Sequence, residues 1–123
     1  MPGLSRAYLT LGAIYLCLGM IMGIVMGIKQ DFTLAPVHAH INLVGFAGHG
    51  LLAVALAVWP ALARDRLATL QFWTYVVGSP LLMVGIALSI LAHSEAIVIV
   101  GSLLLLIGGL LFLAMVVRLR TDG

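Results

Sequence analysis

An all-α integral membrane fold, a bundle of four transmembrane helices, is what the sequence predicts, and two observations predict it. The chain of 123 residues is 63% hydrophobic and 8% charged, with a mean hydropathy of +1.25, whereas soluble globular domains carry roughly a quarter charged residues. Its six basic and four acidic residues lie between or at the ends of four apolar runs, each as long as the roughly 20 helical residues needed to cross a hydrocarbon core of about 30 Å. Backbone amides in lipid have to be satisfied within their own segment, so the runs are helices; a barrel would need alternating short strands that the sequence does not contain. A single domain follows, with the lipid bilayer as its main partner.

The first helix is expected over residues 5–28. It is too long for the short apolar core of a cleavable leader, and Lys29, Gln30 and Asp31 follow it without a small-residue cleavage pattern, so it reads as a permanent span. Gly19, Gly23 and Gly27 form a GxxxGxxxG array that lets another backbone approach closely. Its partner could be helix 2 or helix 4 of the same chain, or helix 1 of another subunit. Met20, Met22 and Met26 read as packing residues in this apolar setting. Cys17, the one cysteine, cannot form an intrachain disulfide and reads as a small apolar side chain.

The second helix is expected over 36–62, with Pro36 in its first turn, and the third over 71–93. Pro80 inside the third frees the carbonyl of Val76, which predicts a kink that Ser79 could help to satisfy. The fourth spans 96–117, with Gly101 and Gly108 as a second seam. Short connections at 29–35, 63–70 and 93–95 make sequential helices antiparallel, up-down neighbours. Arg6, the Arg64/Arg66 pair and the Arg118/Arg120 pair fall on one side and Lys29 on the other. Both termini are therefore expected in the cytoplasm, the 29–35 and 93–95 connections in the periplasm, and the protein in a bacterial inner membrane. A pI near 9.1 does not imply nucleic acid, because the basic residues sit singly or in pairs beside lipid head groups and no basic face exists.

All four histidines lie in or beside spans: His38, His40 and His49 on helix 2, and His93 at the end of helix 3. Ionisable groups in a bilayer are costly and usually face a partner, a cavity or a cofactor. His38 and His40 sit about 200° apart around the axis, while His38, Asn42, Gly45 and His49 share a stripe, with His38 and His49 roughly 16 Å apart. His93 is expected level with His38 and His40. Imidazole ligates metals and haem iron, which makes all four histidines candidate cofactor ligands and His38, His40 and His93 a candidate copper or zinc site.

The stretch Pro36-Val37-His38-Ala39-His40-Ile41-Asn42-Leu43-Val44-Gly45-Phe46, continuing to Trp59-Pro60, resembles a helix of the haem-copper oxidase superfamily, most nearly catalytic subunits of the C-type oxidase and nitric oxide reductase branches. The resemblance implies that His38 and His40 are axial haem ligands. That family's catalytic subunit has many more spans and needs further histidines, including an adjacent pair that this sequence lacks. What the resemblance implies is a small four-helix relative, binding haem b for electron transfer or for oxygen or nitric oxide binding, and assembling as a homo-oligomer beside an unidentified redox partner. Any enzyme activity would be that of an oxidoreductase. Two other readings stand beside it: a copper- or zinc-binding membrane protein with a periplasmic-side histidine site, and a non-catalytic assembly subunit held by its glycine stripes. No nucleophile-base pair, phosphate loop or intramembrane carboxylate pair supports a hydrolase, kinase or proton pump. A transporter would need several copies to enclose a path.

Overall fold

The computed structural model describes residues 1–120. Five helices follow one another: α1 (Gly3–Lys29), α2 (Ala35–Val58), α3 (Pro60–Arg64), α4 (Ala68–Ala92) and α5 (Ala96–Val117). The described residues contain no strand. Helices α1, α2, α4 and α5 are each long and apolar enough to cross a membrane, the make-up of a multi-pass membrane protein.

Helix ends differ from the sequence expectation where one residue's backbone decides them. Helix α2 stops at Val58 instead of reaching residue 62, because Pro60 excludes the helical region for the residue before it, and Trp59 takes φ −119° and ψ 80°. The chain then restarts as the short α3. His93 does not extend α4; it takes the left-handed conformation, φ 51°, that closes many helix C-termini. Gln30 does the same after α1. In the loop that follows, the Asp31 carboxylate accepts hydrogen bonds from the Thr33 amide and hydroxyl, which hold it below the ordinary carboxylate range.

Within α2, Ile41–Gly48 is wound more loosely, as a π-helix. Such stretches are usually short insertions and cluster at functional sites. Helix α4 continues through Pro80. The Ser79 hydroxyl donates to the Tyr75 carbonyl at 2.7 Å rather than to the Val76 carbonyl that the proline frees, because a helical serine reaches back most readily to the carbonyl four residues earlier.

Glycines set the two closest helix pairs. Gly85 of α4 faces the backbone of Val98, and Gly101 of α5 faces the backbone of Leu81 and Leu82. Gly78 meets Leu104 and Leu105, and Gly108 meets Thr74 and Tyr75. On α1, Gly19 lies on Asn42 and Gly23 on His38, so the GxxxG face of the first helix packs on α2 of the same chain. A side chain at Gly27 would meet nothing within 4 Å, because Gly23 already stands against the first turns of α2 and the next glycine falls beyond them. Tyr8, Leu52, Leu56, Leu62, Phe72 and Met115 form a buried core among α1 to α5. Arg118 is paired with Asp65, tying the end of α5 to the segment after α3.

A side chain at Gly85 would have to displace backbone, whereas one at Gly27 enters open space. Gly85→Leu is expected to cost about 1–3 kcal/mol and Gly27→Leu under about 0.5 kcal/mol. Unfolding of the purified variants by dodecyl sulfate titration, read by circular dichroism, checks the contrast.

Candidate functional site

Each imidazole on α2 is tethered through one ring nitrogen to its own helix. Nδ1 of His40 lies 2.7 Å from the Pro36 carbonyl. Nδ1 of His49 lies 2.8 Å from the Gly45 carbonyl and 3.1 Å from that of Val44. A carbonyl only accepts, so in both rings Nδ1 carries the proton and Nε2 is left as the lone pair. His38 is held the other way round: its Nε2 accepts from the Asn42 amide at 3.3 Å, and Nδ1 carries the proton.

The nitrogens left over meet different surroundings. His38 Nδ1 and His49 Nε2 are buried without a hydrogen-bond partner. The Nε2 of His40, on a half-buried ring, makes no hydrogen bond among the described residues. The ring of His38 is covered by α1, since a side chain at Gly23 would approach its Cε1 to 3.1 Å. A buried polar atom left unpaired costs roughly 1–3 kcal/mol, so each of these positions calls for a physical reason.

His49 sits at the centre of a tyrosine cage. Its ring centroid lies 5.1 Å from Tyr15, 4.9 Å from Tyr75 and 5.7 Å from Tyr8, and the residue is fully buried. The hydroxyls of two cage members are committed elsewhere: Tyr8 donates to Gln71 Oε1 at 2.5 Å, and Tyr75 donates to the Val44 carbonyl at 2.9 Å. Gln71 in turn donates to the Gly108 carbonyl at 3.4 Å, and Ser5 donates to the Ala53 carbonyl at 2.7 Å. The π-helical stretch serves this arrangement, because its wide turns let Val44 and Gly45 both face the His49 ring while Val44 also accepts from Tyr75.

The stripe of His38, Asn42, Gly45 and His49 expected from the sequence does face one neighbour, α1, where it meets Gly23, Gly19 and Tyr15. His93 is exposed at the end of α4. No group of three His, Cys, Asp or Glu side chains converges among the described residues, so one chain does not bring His38, His40 and His93 together as a metal site. The sequence reading passed over Tyr8, Tyr15, Gln71 and Tyr75. Their signal was spacing: Tyr8 and Tyr15 are seven apart and Gln71 and Tyr75 four apart, so each pair shares a helix face.

These surroundings bear on a porphyrin. His49 has aromatic rings close on three sides, and a macrocycle could reach its Nε2 only by displacing them. His40 is half-buried, its Nε2 is not among the buried unpaired atoms, and with the proton held on Nδ1 that nitrogen offers a lone pair to an iron. No known protein family, curated protein or solved structure matches the chain.

Removing the Tyr8 hydroxyl leaves the buried Gln71 oxygen without its donor. Tyr8→Phe is expected to destabilise the fold by roughly 1 kcal/mol, in line with interhelical hydrogen bonds in membranes. The dodecyl sulfate titration measures it, and Tyr15→Phe is the control whose loss should be smaller.

Proposed function

We propose that this chain is a four-span haem b protein of the bacterial inner membrane, serving electron transfer or the binding of a diatomic gas, with His40 as its principal iron ligand. The observation that carries this reading is the state of the His40 ring: Nδ1–H is fixed on the Pro36 carbonyl, and Nε2 carries no hydrogen bond among the described residues and is not among the buried polar atoms. Metal-bound histidines are ordinarily held in this way, with the second nitrogen donating to a carbonyl that sets tautomer and ring direction. The resemblance of residues 36–46 to a haem-ligating helix supports the same assignment and adds His38 as a second candidate, which would ligate through Nε2 in place of the 3.3 Å hydrogen bond from Asn42.

A bound haem supplies an iron that changes oxidation state or takes a gas ligand. The chain's part is to hold the imidazole of His40 in one tautomer and to fix α2 against α1 through Gly19 and Gly23. The reading includes a homo-oligomer, in which His40 of two copies would hold one haem between them. The arginines near residues 6, 64, 66, 118 and 120 support an up-down arrangement with both termini cytoplasmic, and the glycine contacts agree with it, since ascending positions of α1 meet descending positions of α2. Electrons would pass to a redox partner at the periplasmic end, and any catalysis would be of the oxidoreductase class.

The test is the absorption spectrum and metal content of the protein purified in mild detergent. A Soret band with iron is expected, with haem content falling at least about tenfold in His40→Ala and unchanged in His93→Ala. A colourless protein that takes up no added haemin overturns the reading. Copper or zinc without iron would transfer the site to the metal-ion alternative.

A further inference from the structure

We propose that the groove between α2 and α5 is a binding site for one anionic phospholipid, with an acyl chain in the groove and the phosphate on the arginines at its end. A cavity of about 450 Å³ runs along α2 from Gly48 to Trp59 and is closed on the other side by Tyr75, Gly109 and Phe112. It continues into a second cavity of about 180 Å³ that shares Ala55, Trp59 and Phe112 and ends at Leu62 and Leu119. The two form one trough.

Its lining is almost entirely hydrocarbon and aromatic. Gln71, the one amide in the wall, is already committed to Tyr8 and to Gly108. An occupant therefore has to be apolar along its length. From Gly48 to Trp59 is 11 residues, or roughly 16 Å of helix, about half of a hydrocarbon core near 30 Å thick. That is the depth of one leaflet, the dimension of a fatty acyl chain. Gly109 keeps the trough open, since a side chain there would meet nothing within 4 Å.

The far end supplies the charge. Arg64, Arg66, Arg118 and Arg120 lie within four residues of Leu62 or Leu119 along the chain, and Asp65 is the one acidic residue in those stretches among the described residues. Asp65 is paired with Arg118, and Arg64, Arg66 and Arg120 are exposed. Basic pockets at one end of a groove between transmembrane helices are where phosphate head groups of membrane lipids are recognised, and a guanidinium matches a phosphate through paired N–H donors. Apolar trough and cationic mouth lie in the order in which a phospholipid joins its chain to its phosphate. The inference needs a chain that spans a bilayer and does not depend on any role for the histidines.

The test uses the full-length protein, delipidated in detergent and returned to nanodiscs of dioleoyl phosphatidylglycerol mixed equally with dioleoyl phosphatidylcholine. Lipid retained after re-extraction is measured by native mass spectrometry. About one phosphatidylglycerol per chain is expected to be retained in preference to phosphatidylcholine. Gly109→Leu fills the trough and should abolish the retention. Each of Arg64→Gln, Arg66→Gln and Arg120→Gln, on exposed residues that do not test the fold, should weaken it by about fivefold. Equal retention of the two lipids overturns the proposal, as does retention unchanged in the arginine variants. A trough found filled by a helix of a second copy, with no lipid retained, overturns it as well.

Discussion

Hydrocarbon offers no partner to a polar group, and that constraint orders this bundle from its backbone outward. Helices satisfy the amides within each span. Polar side chains within the spans then have to find acceptors inside the same chain; some, such as Ser79, bond their own helix, and four connect the spans: Ser5 to Ala53 joins α1 to α2, Tyr8 to Gln71 joins α1 to α4, Tyr75 to Val44 joins α4 to α2, and Gln71 to Gly108 joins α4 to α5. Apolar packing alone selects inner faces weakly in lipid, since an acyl chain is as good a neighbour as a leucine. The hydrogen bonds are what choose which face of each helix turns inward.

This division explains what could be read in advance. The four spans were legible because length and hydropathy are sums over some 20 residues, which no single position can overturn. Their ends were not, because one residue's φ and ψ decide them, as Trp59 before Pro60 and the left-handed His93 show. The glycine array of α1 was legible as a contact face, but its partner needed the fold. Gly78 and Gly85 of α4 have the same seven-residue spacing as Gly101 and Gly108 of α5, and the two pairs lie in one seam; a reading of one helix called for the same reading of its neighbour.

The histidines were legible as a set and less so as individuals. Their positions inside apolar spans mark them by composition alone, yet their chemistry depends on which nitrogen is spent on the backbone. Pro36, Gly45 and Asn42 each stand four residues from the histidine they bind, so the tethers lie within the reach of a helical reading. The tyrosine cage does not. Tyr8, Tyr15 and Tyr75 come from two helices and surround a ring on a third, and Tyr counts as apolar in a hydropathy sum. The π-helical stretch is equally a tertiary product, with Val44 serving both Tyr75 and His49 through a single carbonyl.

The two tightest helix pairs use glycine for different ends. Between α4 and α5, Gly85 and Gly101 each face backbone of the other helix, so the helices touch main chain to main chain. Between α1 and α2, Gly19, Gly23 and Gly45 each face a polar side chain: Asn42, His38 and Tyr15. The missing Cβ there makes room for an imidazole, an amide and a phenol rather than for a backbone. A rigid α4–α5 pair then holds Gln71 and Tyr75 steady against α1 and α2, and the α1–α2 interface can carry polar groups that would otherwise push two lipid-embedded helices apart.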